Sequence, residues 1–130
     1  MKVLIFLLIP ISVLSQKHIN KEFVYQNKFC ETLTNNGVNN LKEVRLIDNT
    51  RCDIVTEEHA IEVDFASKWG ESIGQSLHYG LILHKKAGIL LIIESEKDFK
   101  FLQRLLVTAK VYNITVWTIN DKFKINQIKP

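Results

Sequence analysis

Proline, glycine, cysteine and long hydrophobic runs are all scarce in this sequence, which has 2 Pro, 5 Gly and 2 Cys in 130 residues. So little proline and glycine excludes collagen-like and low-complexity chains, and two cysteines are too few for a disulfide-dense scaffold. No segment reaches the roughly 20 apolar residues that a membrane-spanning helix requires. The remaining composition, 46% hydrophobic and 24% charged residues, is typical of a globular protein and predicts one domain.

The charge balance says little about partners. Lysine and arginine number 17 against 14 acids, for a formal net charge of +3. Electrostatic binding surfaces arise from clustering on one face rather than from totals, so this excess does not by itself indicate nucleic acid.

The N-terminus has the pattern of a secretory signal peptide. A single lysine precedes an apolar run over residues 3–14, and Val13 and Ser15 supply the small side chains that signal peptidase requires. The alternative, a retained membrane anchor, is less favoured because the run is short and contains Pro10. We therefore predict a signal peptide over residues 1–15, export to the periplasm or the cell exterior, and no stable membrane anchoring.

Export permits a disulfide bond, and two cysteines allow one pairing, Cys30 with Cys52. The alternative is a pair of buried thiols. A structural zinc site is not indicated, because two isolated cysteines without a nearby pair of histidines do not make a ligand set.

Hydrophobic periodicity predicts the order α-β-β-β-α-β-α-β. The three consecutive strands are predicted at residues 42–47, 51–55 and 60–65, with turn-forming residues between them. The other predicted elements are a first helix that ends at Gly37, a second from about Lys68 to Lys86, a buried strand at 88–93, a third helix from Ser95 to about Tyr112 and a strand at 114–119. This order predicts an α/β sandwich with a mixed sheet over residues 16–119, followed by a polar tail at 120–130.

Alternation along the three consecutive strands places charged side chains together on one face of the predicted sheet. The acids are Glu43, Asp53, Glu62 and Asp64, and the arginines are Arg45 and Arg51. If the turn at 48–50 puts Ile47 opposite Arg51, then Arg45 faces Asp53. One interpretation is the solvated face of an antiparallel sheet. The other is a functional site, because clustered carboxylates repel one another unless a cation or bound protons offset their charge.

The spacing of these acids resembles that of the PD-(D/E)XK nucleases, the restriction-endonuclease-like superfamily, and its RecB-type members in particular. An aspartate, Asp53, is followed nine residues later by the acidic strand Glu62-x-Asp64, and then by a helix that carries Gln75-x-x-x-Tyr79. The resemblance covers roughly residues 43–79. It implies a restriction-endonuclease-like three-layer sandwich and metal-dependent hydrolysis of phosphodiester bonds.

The resemblance also implies roles for individual residues. Asp53 and Glu62 would bind Mg²⁺ or Mn²⁺, and Glu43 would be the additional upstream acid. The superfamily often places that additional acid on the first helix, where Glu31 and Glu22 are alternatives.

The sequence departs from the family pattern at Asp64, where the family has a lysine that orients the attacking water. Lys68 is one helical turn further along, and its flexible side chain makes it the candidate replacement. The alternative is an exposed charge at a helix start. Gln75 and Tyr79, four residues apart on one helix face, would both point at the cluster.

The sequence therefore predicts an exported, metal-dependent nuclease that acts on DNA, or less favourably RNA, with Arg45 and Arg51 contacting phosphates. The alternative is a catalytically inactive module with the nuclease fold that binds nucleic acid or a protein. A homodimer would enlarge the small surface that such a domain offers to a duplex.

Overall fold

The continuous apolar run that was predicted to be a buried strand lies at the centre of a six-stranded sheet. The structure is a computed structural model that describes residues 17–129, so the predicted signal peptide lies outside the described residues. The elements are α1 (Glu22–Asn35), β1 (Asn40–Arg45), β2 (Arg51–Thr56), β3 (His59–Phe65), α2 (Trp69–Leu83), β4 (Lys86–Ile93), α3 (Phe99–Tyr112), β5 (Thr115–Asn120) and β6 (Ile125–Ile128), with short 3-10 turns at Ala66–Lys68 and Glu96–Asp98.

The sheet has the linear strand order β1-β2-β3-β4-β5-β6. The pairs β1–β2, β2–β3 and β5–β6 are antiparallel, whereas β3–β4 and β4–β5 are parallel. Parallel neighbours require a crossover connection, and α2 and α3 supply the two crossovers. The mixed α/β sheet predicted from the sequence is confirmed.

Side-chain alternation along β4 divides the core into two layers. Leu90 and Ile92 pack with Tyr25 and Phe29 of α1 on one face of the sheet. On the other face, the cluster that contains Ile89, Leu91, Ile93 and Leu105 includes side chains from α2 and α3. A strand covered by helices on both faces has no polar side, which explains the unbroken apolar run. The result is the predicted three-layer arrangement.

None of the helices within residues 17–129 combines the length and apolar character that a bilayer crossing needs.

The disulfide bond predicted between the two cysteines is not formed in this structure. Cys30 and Cys52 are both buried free thiols. Cys30 is on the buried face of α1, in the core between that helix and the sheet, whereas Cys52 belongs to a separate cluster with Leu46, Ala60 and Tyr79. The second interpretation, two buried thiols, describes the structure.

The predicted register of the first hairpin is wrong by two residues. Arg45 pairs with Arg51, and Val44 with Cys52, so the position opposite Asp53 falls at Glu43 rather than at Arg45. The strand runs from Asn40 to Arg45, so it ends two residues earlier than predicted and the loop is correspondingly longer. A two-residue shift preserves the alternation of faces, and Arg45 and Arg51 still line one pocket with Asp53 and Glu62.

Hydrogen bonds within the longer loop hold it in one conformation. The N–H of Leu46 donates to the carbonyl of Thr50 at 2.8 Å. The carboxylate of Asp48 accepts the N–H of Thr50 at 3.1 Å and its hydroxyl at 2.6 Å. Asn49 takes the left-handed conformation with φ 67°, which asparagine tolerates better than most residues.

The prediction that residues 120–130 form a polar tail without a partner is also wrong. Residues Ile125–Ile128 form β6, which pairs Ile125 with Ile119 and Ile128 with Val116 of β5. The ring of Phe123 lies 5.8 Å from that of Tyr25. This four-residue strand carries too short an alternating pattern to be recognised alone, but it covers the N–H and C=O groups that β5 would otherwise expose.

Deleting residues 121–130 is therefore expected to destabilise the domain by roughly 3 kcal/mol, through the lost burial of three apolar side chains. The opened edge of β5 should also promote aggregation. Thermal unfolding and light scattering would measure both effects. Asn126→Ser, a change at an exposed position of the same strand, should leave both unchanged. An unaltered melting temperature after deletion would show that β6 contributes no stability.

Candidate functional site

Three of the predicted acids are buried under α2 rather than solvated. Asp53 on β2 is 9% exposed, and Glu62 and Asp64 on β3 are 6% and 5% exposed. These values exclude an ordinary watered face for these three acids, because unpaired carboxylates are rarely buried to this extent, whereas Glu43, Arg45 and Arg51 are exposed. We call Asp53, Glu62, Asp64 and the nearby Glu22 the carboxylate cluster.

The hydrogen bonds of the carboxylate cluster leave one oxygen without a partner. The N–H of Val63 donates to Asp53 Oδ2, and the hydroxyl of Ser72 donates to Asp64 Oδ2, each at 2.8 Å. Glu62 Oε2 is buried, and no group of the described residues donates to it. A buried carboxyl oxygen in this situation lowers stability unless a ligand or a proton satisfies it.

Helix α1 contributes the fourth acid. Burial and the charges of Asp64 and Asp53 raise the pKa of Glu22 to about 7, which shows that its carboxyl lies in the field of the cluster. Of the two helix alternatives, Glu22 therefore reaches the site. Glu31 lies on the exposed surface, where Lys28 contacts it at 3.5 Å.

The predicted upstream acid Glu43 has other contacts. Arg51 Nε lies 2.8 Å from its carboxylate, and Gln26 Nε2 donates to it at 3.0 Å. The same Gln26 nitrogen donates to the backbone carbonyl of Asp53 at 2.9 Å, so this amide links α1 to the site strand. Glu43 also has a left-handed backbone, with φ 55°, which is uncommon for a residue with a side chain. Its carboxylate lies at the margin of the cluster, paired with a cation.

The buried carboxyls of the two site strands hold protons more tightly than ordinary acids. Burial, followed by the charges of Asp53 and Asp64, raises the pKa of Glu62 to about 10. Burial, followed by the charges of Glu43 and Asp64, raises the pKa of Asp53 to about 6 against the opposing effect of the Val63 hydrogen bond. Burial also raises the pKa of Asp64, while the Ser72 hydroxyl opposes the rise. The side-chain hydrogen bond between Glu62 and Asp53 raises the pKa of Glu62 and lowers that of Asp53, so a proton taken up by the pair is held on Glu62.

Lys68 faces the carboxylate cluster from the 3-10 turn that joins β3 to α2. Its positive charge lowers the pKa of Glu22 and of Asp64, so the ammonium group lies within the field of both carboxyls. Among the ion pairs of the described residues, none joins Lys68 to a carboxylate within 4 Å. Its charge is thus near the cluster without being bound by one acid.

An open pocket of about 490 Å³ lies against Asp53 and Glu62, and we call it the arginine pocket. Its lining consists of Arg45, Asn49, Thr50, Arg51, Asp53, Glu62, Gln75 and Tyr79. The structure therefore brings together the predicted phosphate-binding arginines, two of the predicted metal ligands and the Gln-x-x-x-Tyr pair. Burial and the Glu62 and Asp53 charges raise the pKa of Tyr79 to about 12, so its hydroxyl remains a donor at neutral pH.

Sequence reasoning missed Gln26 and Ser72, two polar residues that hold the site in place. Gln26 is 3% exposed, and Ser72 is fully buried. The four-residue spacing of Glu22 and Gln26 places both on one helix face, and this spacing could have indicated a polar contact for α1. Ser72 is the centre of a Gly-x-Ser-x-Gly run from Gly70 to Gly74, but that run lies inside a helix and does not predict a contact with Asp64.

The donor chemistry of the carboxylate cluster suits a hard divalent cation, which prefers oxygen ligands. Within residues 17–129, no three His, Cys, Asp or Glu side chains are already arranged as a metal site. Glu62 has one buried oxygen without a partner, and the raised pKa values of Glu62 and Asp53 allow a bound proton to offset the charge of the pair. The residues thus fit such an ion by chemistry, and binding would require the cluster to release protons.

The fold and this site define a small α/β sandwich with a buried acidic centre. No protein-family model matches the sequence, and no curated protein matches it. In structure the chain is similar to part of the CdiA-CT/CdiI toxin and immunity complex from Burkholderia pseudomallei. The TM-score is 0.50 and the identity 16%, over 92% of this chain and 93% of that chain. At this identity the likeness shows a shared fold.

Proposed function

We propose that this protein is a metal-dependent hydrolase of phosphodiester bonds in nucleic acid, with the carboxylate cluster as its active site. The observation that carries the proposal is the burial of several carboxyls in one another's field around the unpartnered oxygen of Glu62. Burying such groups together destabilises a domain and contributes nothing to packing. Strongly perturbed carboxyls beside an open pocket are typical of functional sites.

The residues that would hold Mg²⁺ or Mn²⁺ are Asp53 and Glu62, with Glu22 or Asp64 as the additional acid. This assignment replaces Glu43, because its carboxylate is bound by Arg51 and Gln26. When bound, such an ion activates water and stabilises negative charge on phosphoryl oxygens.

The arginine pocket supports a phosphate-bearing substrate. Arg45 and Arg51 are directly opposite one another across the hairpin. Like charges in this arrangement destabilise a strand pair. Glu43 offsets Arg51, whereas Arg45 adds a second positive charge to the pocket wall. An anionic phosphate beside both guanidinium groups would relieve the repulsion and lie next to Asp53 and Glu62.

Lys68 takes the place of the lysine that the family pattern puts at Asp64. Its positive charge lowers the pKa of Glu22 and of Asp64, so the ammonium group is close to these two acids. A group that orients the attacking water is needed at the same place. Replacing Lys68 with methionine is expected to slow cleavage of plasmid DNA about a hundredfold, the usual scale for a positioned proton-transfer group. Initial rates with Mg²⁺ or Mn²⁺ would measure this effect, and calorimetric titration should show that Mn²⁺ still binds.

The matched control for that variant is Lys85→Met. Lys85 lies beyond the other end of α2, where its Nζ donates to the carbonyl of Glu57 at 2.7 Å. We expect this variant to cleave at the wild-type rate. Equal cleavage rates for wild type, Lys68→Met and Lys85→Met would show that Lys68 takes no part in the reaction.

A second candidate function is a binding module without catalytic activity. It is favoured by Asp64, which stands in place of the family lysine, and by protonation of Glu62, which lets the cluster exist without a cation. The structural neighbour is described as a toxin and immunity complex, so a protein partner is the natural ligand under this hypothesis. Incubation of the folded protein with plasmid DNA and with RNA, in Mg²⁺ or Mn²⁺, separates the two functions: cleavage supports the hydrolase, and its absence supports the binding module.

The proposal includes export of the protein, because residues 1–15 have the pattern of a signal peptide. The proposed site of action is the periplasm or the cell exterior.

A further inference from the structure

A second open pocket, of about 530 Å³, borders the carboxylate cluster at Glu22, and we call it the aromatic pocket. Its lining consists of His18, Ile19, Asn20, Lys21, Glu22 and Phe65. Glu22 belongs to both the pocket and the cluster, and Phe65 directly follows Asp64 in β3. The carboxylate cluster therefore borders both pockets, the arginine pocket at Asp53 and Glu62 and the aromatic pocket at Glu22.

The wall of the aromatic pocket is a stack of two rings. The rings of His18 and Phe65 are 3.4 Å apart between centroids and inclined by 10°. The His18 side chain is 30% exposed, and Ile19 beside it is 60% exposed. Flat aromatic surfaces with an exposed apolar neighbour are the surfaces on which proteins stack unpaired bases.

Glu94 at the end of β4 fixes this wall before any ligand arrives. Its carboxylate accepts the hydroxyl of Tyr25 at 2.6 Å and contacts His18 Nδ1 at 2.7 Å. It also accepts the backbone N–H groups of Ile19 at 2.9 Å and Asn20 at 3.3 Å. A wall held by one buried carboxylate loses little conformational entropy when a ligand binds, so it is preorganised.

We infer that the aromatic pocket binds one unpaired base of the substrate, so that the protein acts on single-stranded or locally unpaired nucleic acid. This inference rests on the proposed function and specifies its substrate. Phosphates on the strand would lie in the arginine pocket, the base would stack on His18, and the bond to be cleaved would cross the cluster between them. Because a base inside a duplex must first leave its stack, intact duplex is the poorer substrate.

Two substitutions of His18 test the stacking contact. His18→Ala removes the ring, whereas His18→Phe keeps a ring and removes the contact with Glu94. Each protein is titrated into a single-stranded DNA containing 2-aminopurine, into its duplex and into the RNA strand of the same sequence, with Ca²⁺ present to limit cleavage. Circular dichroism and thermal unfolding verify that all variants are folded.

Wild type is expected to bind the single strands about tenfold more tightly than the duplex and to change the 2-aminopurine fluorescence on stacking. His18→Ala should lose this tenfold preference, and His18→Phe should restore it. Tighter binding of either single strand supports the inference, and the DNA–RNA comparison identifies the preferred sugar. Equal wild-type affinities for single strand and duplex, or equal losses in both variants, would overturn it.

The outcome for this pocket is separable from that for the proposed function. Cleavage of single strand and duplex at equal rates, unchanged in His18→Ala, would overturn the base pocket and leave the hydrolase proposal standing. Stacking of the single strand without cleavage in Mg²⁺ or Mn²⁺ would support the pocket and overturn the hydrolase.

Discussion

Replacing Asp53 with asparagine is expected to lower the rate of Mg²⁺-dependent cleavage of plasmid DNA about a thousandfold, the scale of losing one group that stabilises charge in a transition state. Asp53 is the acid on β2, and it adjoins both Glu62 and the arginine pocket. Asparagine has nearly the same shape but lacks the negative charge that a divalent cation requires. Initial rates of plasmid nicking would measure the loss.

The substitution is designed to preserve the local fold. The amide oxygen of asparagine can still accept the N–H of Val63, which donates to Asp53 Oδ2 at 2.8 Å. The control is Glu58→Gln, which removes an exposed acid paired with Lys86, outside both the cluster and the arginine pocket. If Asp53→Asn cleaved as fast as wild type, the carboxylate cluster would not be the site of hydrolysis.

Replacing Glu62 with glutamine is expected to abolish cleavage and, unusually for an active-site change, to stabilise the metal-free protein. The side-chain amide of glutamine can still donate a hydrogen bond to Asp53. The substitution also removes a carboxyl whose ionised form is disfavoured in the folded state. Because Glu62 is 6% exposed and its pKa is raised to about 10, the gain at pH 8 should be on the order of 3 kcal/mol. For a domain of this size, that corresponds to roughly 10 °C in melting temperature.

The pH dependence of stability provides an independent check. Glu62 releases its proton near pH 4.5 in the unfolded chain and near pH 10 in the folded protein. Between these values the folded state holds the proton that the unfolded state has lost, so wild-type stability falls as the pH rises. Asp53 and Glu22, with pKa values raised to about 6 and about 7, add to this decline at its acidic end. In Glu62→Gln the slope above pH 7 should be much smaller.

Thermal unfolding of both proteins in EDTA, from pH 5 to pH 9, would measure these slopes. Adding Mg²⁺ or Mn²⁺ at pH 8 should stabilise wild type more than Glu62→Gln, since an ion that binds only the folded state shifts the equilibrium towards it. A wild-type stability that rose between pH 6 and pH 9 would mean that the cluster is ionised and otherwise satisfied.

The additional acid of the site could be narrowed to a few candidates from the sequence but could not be identified from it. Three candidates, Glu22, Glu31 and Glu43, were compatible with the pattern of residues. Glu43 lies on the first of the three predicted site strands, and Glu22 and Glu31 lie on the first predicted helix. Only the packing of α1 across the sheet brings Glu22 into the field of Asp64, while it leaves Glu31 in solvent and lets Arg51 bind Glu43. Tertiary contacts of this kind have no local signal.

The hairpin register and β6 have the same explanation. The loop is held by Asp48 and Thr50 after a strand that ends two residues earlier than predicted, and turn chemistry alone did not fix that length. The four residues of β6 gain their conformation by pairing with β5, so their strand structure depends on a partner that the local pattern does not reveal.

The sequence by itself determined the helices, the buried central strand and the common face of Glu62 and Asp64, because period and alternation depend only on neighbouring residues. The tertiary structure alone decided that Asp53, Glu62 and Asp64 are buried, that Glu22 joins them and that an aromatic pocket flanks them. Those properties depend on where α1, α2 and the segment before α1 pack against the sheet. Burial and electrostatic coupling are sums over groups that are distant in sequence, so no local pattern can specify them.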